Sequence, residues 1–314
     1  MKEVGTCTGD RRPRGRYELV LFGILLLELW ILYGLMGHTQ GPKSGIGSAL
    51  RWMVDRWSGS GGDLSHGWLI PIVSAVAIWR RRKELASAEK TASMAGLVVI
   101  LLSLMLYVFG VRAQLTRLSL LSLIGLLWGI PLYLYGRRVA ALLLFPCAYL
   151  VFCIPLSFLS DITVPLRIFV STISAALLNG VGIQTERVGT IIASSVGGGF
   201  HFNVADPCSG LRSLLALSAI AAAYAHFAQK GLLRKLLLFA ASVPIAMIGN
   251  ISRILVVALI AASCGQEFAQ GVYEQASGLI VFAVAVLLMI ATGNLLNAIP
   301  SRKLREWKPV DKED

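Results

Sequence analysis

Long apolar runs alternate along the chain with short polar breaks rich in arginine, and most of the runs approach or exceed the ~20 residues that carry a helix across a bilayer. The pattern predicts spanning helices over 18 to 37, 65 to 79, 92 to 111, 118 to 135, 139 to 159, 210 to 227, 236 to 264 and 272 to 295. The second run is short, so its helix is expected to begin within Asp63-Leu64-Ser65-His66. The seventh is overlong and carries Pro244, Gly249 and Arg253, which leaves a kinked helix or a broken pair open. Two segments interrupt the rhythm. Residues 38–64 are polar and Gly-rich around Arg51-Trp52-Met53-Val54-Asp55-Arg56-Trp57, where two tryptophans suit an interfacial helix. Residues 160–209 form a larger insert. Asp161 to Leu178 has apolar residues at helical spacing, then Gly182 to Ser195 and Phe200 to Val204 read as two strands joined by Gly197-Gly198-Gly199. The expected fold class is all-α integral membrane: about eight transmembrane helices in a single polytopic domain over 1–314, with an amphipathic helix plus a β-hairpin as a small extracytoplasmic insert.

Composition agrees with that pattern. Hydrophobic side chains make up 56% of the 314 residues and charged ones 15%, too apolar for an ordinary soluble domain. The net charge of +12 is not the footprint of a nucleic-acid binder, because the cations sit in short clusters between apolar runs. They set the topology instead, since Lys and Arg are retained on the cytoplasmic side. Arg11 to Arg16, Arg80 to Lys83, Arg137-Arg138, Lys230 to Lys235 and Arg302 to Arg305 all fall on one side of the predicted spans. Both termini are thereby assigned to the cytoplasm, and 38–64 and 160–209 to the outside. The first run lacks a small-residue cleavage site and reads as an anchor rather than a removed leader.

The segment Asp206-Pro207-Cys208-Ser209-Gly210-Leu211-Arg212-Ser213 carries the clearest chemistry, because it sets a cysteine at the start of an apolar helix. Asp206 suits the cap and Pro207 the first helical position, which leaves Cys208 in the first turn. There the positive end of the helix dipole, helped by Arg212 one turn on, favours the thiolate. The other cysteines, Cys7, Cys147, Cys153 and Cys264, show no metal-ligand spacing, and no metal or organic cofactor is expected. A disulfide from Cys208 to Cys264 would silence the thiol.

Polar residues that are hard to explain in apolar surroundings converge on the same predicted face. His66 begins the second span, Glu274 begins the eighth, and Arg253 lies ~25 Å into the seventh at about 1.5 Å per residue, near the outer boundary of a ~30 Å core. A guanidinium cannot shed its charge, so it calls for an anion such as a thiolate, a carboxylate or a developing oxyanion. Asn250, one turn earlier, is positioned to orient it. The competing explanations are an inert core thiol, an arginine that snorkels to headgroups, an interfacial histidine and a loop glutamate. His38 and His201 are assigned no role. The spans carry almost no charge beyond Glu28, unlike those of a transporter or polysaccharide-export component.

These residues resemble the exosortases, multi-pass membrane cysteine transpeptidases grouped with the archaeosortases. Ser65-His66-Gly67-Trp68-Leu69-Ile70-Pro71 with Trp79-Arg80-Arg81-Arg82, Pro155-Leu156, Pro165-Leu166, Gly182-Ile183, Cys208-Ser209-Gly210-Leu211-Arg212-Ser213 and Asn250-Ile251-Ser252-Arg253-Ile254 follow the order of the family's motifs. The resemblance implies Cys208 as nucleophile and Arg253 as catalytic arginine. Its implied partners are exported proteins that end in a short PEP-CTERM-like motif, a transmembrane helix and a basic tail. It also implies the inner membrane of a Gram-negative bacterium, with the site on the periplasmic face and the lipid bilayer as surroundings. One departure stands out. Where the family carries histidine or arginine before a Ser-Gly pair at the last span, this chain has Glu274-Gln275-Ala276-Ser277-Gly278. Three outcomes stay open: Glu274 serves, His66 substitutes, or the protein binds sorting signals as a catalytically altered scaffold.

Overall fold

The computed structural model describes residues 23–36, 39–40, 46–58, 65–154, 158–195, 200–203, 211–269 and 274–299. In chain order these hold α1 (Gly23–Leu35), β1 (Thr39–Gln40), β2 (Ile46–Gly47), α2 (Ala49–Ser58), a 3-10 turn (Ser65–Trp68), α3 (Leu69–Arg80), α4 (Arg82–Ser87), α5 (Met94–Arg112) and α6 (Thr116–Tyr149). A second 3-10 turn (Leu150–Cys153) follows, then α7 (Phe158–Gly180), β3 (Thr185–Val188), β4 (Ile191–Ser194), β5 (His201–Asn203), α8 (Leu211–Ala228), α9 (Leu232–Cys264), the short α10 (Gln266–Phe268) and α11 (Glu274–Ala298).

Every predicted apolar run meets a helix, but length and composition alone qualify four segments among the described residues as membrane spans: Met94–Arg112, Thr116–Cys153, Leu232–Cys264 and Ile280–Ala298. Gly23–Leu35, Val164–Gly180 and Leu214–Ala228 are apolar but shorter. The fourth and fifth predicted helices follow one another within α6 and are separated by a kink at Gly136, which takes φ 84° and ψ −173°. That left-handed φ suits glycine, and an added Cβ would run into the Thr91 carbonyl oxygen. The expected break inside α9 is absent, and a single 33-residue helix runs through Pro244. The insert also differs. Gly182 to Ser195 is two strands turning at Gly189, so the sheet has three strands in the order β3-β4-β5.

The chain divides into two compact units, Met1–Ser60 with Ser87–Ala141, and Gly61–Ala86 with Leu142–Asp314. In the first, α5 lies antiparallel to the start of α6, and glycines mark the close approach. A Cβ on Gly96 would meet the Tyr133 backbone, one on Gly129 would come 2.9 Å from Val99 Cγ1, and one on Gly110 would come 2.8 Å from the Ser119 nitrogen. Small residues let the two backbones approach where lipid supplies no hydrophobic drive between helices. The opposite side of α5 exposes Met94, Leu101, Leu102, Met105 and Phe109, as suits an acyl-chain environment. Gly96→Val is therefore expected to cost ~1–3 kcal/mol through overpacking against an unyielding backbone. Thermal unfolding in detergent measures the loss, with Gly23→Val as control because nothing lies within 4 Å of that position.

In the second unit α9 is the central post. Leu217, Ala221 and Ala225 of α8, Leu238, Ile245 and Ala246 of α9, and Ala285 and Met289 of α11 close one core. A second core joins α7 and the sheet to the C-terminal half of α9, through Val170, Leu178, Ile192, Phe200, Ile254, Val257, Ala258 and Ala261. At ~50 Å, α9 outreaches a ~30 Å hydrocarbon core, and α7 with the sheet wraps its far end.

Candidate functional site

Three antiparallel contacts set the depth of each candidate in the second unit. Ser218 Oγ lies 3.3 Å from Ser242 Oγ, which brings Leu211, the first described residue of α8, to the level of Gly249 on α9. Arg253 then stands one turn further out, ~6 Å beyond. On the other side, Arg234 Nη2 donates to the Ile299 carbonyl at 2.5 Å, and a Cβ on Gly249 would sit 3.2 Å from Val281 Cγ1. Glu274, at the start of α11, is thereby carried to the same end as Arg253 and roughly 5 to 8 Å past it along the helix axis.

At this end a small cavity of about 40 Å³ opens between α8, α9 and α11, lined by Leu217, Gly249, Asn250, Arg253, Val281 and Phe282 among others. Asn250 is buried and Arg253 half-buried, with its Nε fully enclosed. Their i, i+3 spacing puts both on one face of α9, and the missing side chain of Gly249 leaves the room. Counted from Leu232, the observed start of the helix, Arg253 is ~32 Å along rather than ~25 Å, because α9 begins before Arg234 and Lys235. A guanidinium beside this cavity is chemically able to hold an anion that enters the space.

His66 belongs to the same end but to a different wall. Cys153 Sγ approaches the Gly67 carbonyl oxygen at 3.8 Å, Ser74 Oγ donates to the Pro146 carbonyl at 2.9 Å, and Tyr149 Oη donates to the Ala219 carbonyl at 3.1 Å. These contacts run α3 antiparallel to the end of α6, which in turn lies beside α8, so His66 and the start of α8 share one end. The imidazole is half-buried, and its Nε2 is enclosed without a hydrogen-bond partner. It makes no hydrogen bond to Asn250 or Arg253.

Cys208, with Asp206, Pro207, Ser209 and Gly210, lies outside the described residues, and so do the side chains of Arg212 and Glu274. His38 lies outside them as well. His201, to which the sequence assigned no role, is exposed beside Gln266, whose Nε2 is 3.3 Å from its Nδ1. Cys264 is a free, exposed thiol and takes part in no disulfide. Cys147 and Cys153 are buried and take part in no disulfide. No group of three or more His, Cys, Asp or Glu side chains among the described residues is arranged to hold a metal ion.

Sequence reasoning missed one contributor: Gly249 is a wall of the cavity, a role with no local signal. Residues 57–291 match the family model described as transmembrane exosortase. No curated protein and no solved structure matches the chain.

Proposed function

Since the chain belongs to the transmembrane exosortase family, we propose that it is a membrane cysteine transpeptidase that cuts C-terminal sorting signals of exported proteins at the outer face of the bacterial inner membrane. In this reading the polypeptide crosses the bilayer about eight times with both termini in the cytoplasm. The observation that carries the reading is the cavity holding Arg253 and Asn250, at the end where α8 emerges three residues after Cys208. Three peptide links reach at most ~11 Å, so Cys208 is tethered within that distance of Leu211. The two described ends of the intervening segment support the same neighbourhood. Asn203 leaves a sheet packed on α9 beyond Arg253, and Leu211 enters α8 one turn before the level of Arg253.

The chemistry follows from those groups. The Cys208 thiolate attacks the carbonyl carbon of the scissile peptide bond, and the negative charge moves to the carbonyl oxygen. Arg253 steadies that oxyanion with its guanidinium N–H groups, and Asn250 orients the arginine. The C–N bond then breaks, the amine leaves with a proton, and a thioester remains on Cys208. An acceptor nucleophile attacks the thioester, gives up its proton and restores the thiolate.

Glu274 is the better candidate for the proton-handling group. It opens the helix that forms one wall of the cavity, whereas His66 packs with Gly67 against the Leu150–Cys153 turn. Glu274→Gln is expected to lower turnover ~10²-fold with substrate binding little changed, and His66→Gln less than ~10-fold. The assay is cleavage of a co-expressed substrate with a polar segment, an apolar helix and a basic tail, alongside labelling of spheroplasts by a membrane-impermeant maleimide at neutral pH. The reverse order of the two effects transfers the role to His66. No cleavage and no label on Cys208 would leave a binding scaffold.

A further inference from the structure

A group of cations gathers at the end of the second unit that lies opposite Arg253. Helix α8 runs from the level of Gly249 to Ala228, α3 runs from the His66 end to Arg80, and α9 starts at Leu232, so Arg80, Arg81, His226 and Lys235 share that end. The turn between α8 and α9 is held in place. Buried Gln229 donates from Nε2 to the Gly293 carbonyl of α11 at 2.8 Å, and Gly231, with φ 90°, reverses the chain. The floor of the group is aromatic. The His226 ring stacks on Phe145 with centroids 3.6 Å apart and planes 6° from parallel, and Phe227 meets both edge-on, at 5.3 Å from His226 and 6.3 Å from Phe145.

Three side chains of fixed charge converge on this floor. Arg80 Cζ lies 5.2 Å from the centroid of Phe227, and Lys235, Arg81 and Arg80 all act electrostatically on the His226 ring. Arg81 and Lys235 are half-buried there. Their neighbours behave differently: Arg82 stacks on Trp79 at 4.2 Å and donates to its carbonyl, and Arg234 donates to the Ile299 carbonyl. Like charges repel more strongly as their side chains leave water, and cations that only set topology need no such convergence. An anion with several oxygens relieves the repulsion, since it accepts hydrogen bonds from guanidinium and ammonium groups together. The rim of the group is apolar. Ile78 and Trp79 on α3, Phe227 on α8, and Leu232, Leu233 and Leu236 on α9 are exposed. A small ion from solution makes no use of such a rim, whereas a phosphate that carries acyl chains does.

We infer that Arg80, Arg81 and Lys235, gathered about His226, form a binding site for the headgroup phosphate of an anionic phospholipid whose acyl chains lie along the exposed apolar faces of α3 and α9. Basic pockets between membrane helices hold anionic headgroups by the same combination of charge and apolar rim. Under the topology proposed above, the lipid belongs to the cytoplasmic leaflet. The inference needs the bilayer but not the transpeptidase chemistry.

The test uses the full-length protein, purified in detergent, delipidated and titrated with phosphatidylglycerol or phosphatidylcholine of matched acyl chains, with bound lipid counted by native mass spectrometry. At least one phosphatidylglycerol is expected to bind ~10-fold or more tightly than phosphatidylcholine. The combined Arg80→Gln, Arg81→Gln, Lys235→Gln protein should lose that preference, Lys235→Gln alone should weaken it ~3- to 5-fold, and Arg80→Lys with Arg81→Lys should keep most of it. Arg82→Gln, which removes a cation outside the group, should change it less than ~2-fold. Equal affinity of the parent for the two lipids overturns the inference, even if the triple variant fails to fold. So does a preference that survives the triple variant. Displacement of phosphatidylglycerol by millimolar inorganic phosphate would assign the group to a soluble anion and equally overturn it. Neutralising the carboxylates near the C-terminus, by Glu306→Gln, Asp311→Asn, Glu313→Gln and Asp314→Asn together, should leave the affinity unchanged. A gain of ~10-fold or more in that protein would mean that the acidic end of the chain itself fills the site, which overturns the inference as well. Cleavage does not enter the readout, so a failure of the transpeptidase reading leaves the result standing.

Discussion

Cys208→Ala is expected to abolish release of the sorting segment, by at least ~10³-fold, while the protein inserts and accumulates as before. The size of the effect follows from the chemistry, since the methyl group has no lone pair to form the thioester. Cys208→Ser discriminates further. A hydroxyl is far less acidic than a thiol, so the same helix end and the same arginine leave it protonated, and it should be nearly as inactive as alanine. The readout is the mobility and intact mass of a co-expressed substrate, with trapping of the thioester by hydroxylamine as an independent sign of the acyl-enzyme. Cleavage that persists in Cys208→Ala removes the thiol from the mechanism. Because Cys147 and Cys153 are buried and Cys264 is exposed, a Cys264→Ser background removes the accessible thiol among the described residues, so that label on Cys208 can be read.

Arg253 carries the second large effect. Removing an oxyanion donor typically costs ~10²–10³ in rate, so Arg253→Ala should lose about 10³-fold in kcat. Arg253→Lys should lose about 10²-fold, because an ammonium keeps the charge but cannot present a planar fork in the cavity beside Asn250. Substrate affinity should move less than kcat, since the charge on the carbonyl oxygen develops only on the way to the tetrahedral intermediate. Single-turnover kinetics on matched peptides, with the melting temperature of each variant as control, separates that loss from a folding defect. A Lys variant equal to the parent would favour an arginine that merely reaches lipid headgroups.

Much of the helical layout was legible in the chain. Each of the eight predicted runs overlaps a helix, and the two further segments read as helical, Asp161 to Leu178 and the stretch around Trp52 and Trp57, are α7 and α2. The convergence of His66, the start of α8, Arg253 and Glu274 on one end also followed from alternating spans and clustered cations. Other features were not legible. The fourth and fifth helices do separate where they were read to, at Gly136, but the contact that fixes the junction, this glycine backing onto Thr91, lies with a neighbour remote in sequence. The strand over Gly182 to Ser195 was read as continuous, yet a left-handed Gly189 folds it into a hairpin whose tip Ser171 holds.

The sequence by itself determined what is local: where helices form, which runs are apolar enough to leave water, and that a cysteine precedes α8 while an arginine lies far along α9. These depend on the side chains of a few successive residues and on their solvation. The family also followed from motifs in order along the chain. Only the tertiary structure decided what depends on partners far apart in sequence. It showed that α9 runs unbroken through Pro244, because α8, α11, α7 and the sheet pack along its length. The register of Ser218 on Ser242 and of Gly249 on Val281 opens the space beside Asn250 and Arg253. The hairpin bound to α7 at Ser171 sets the sheet against the C-terminal half of α9. Close packing fixes such registers only once all the walls are present, and no window of neighbouring residues contains that information.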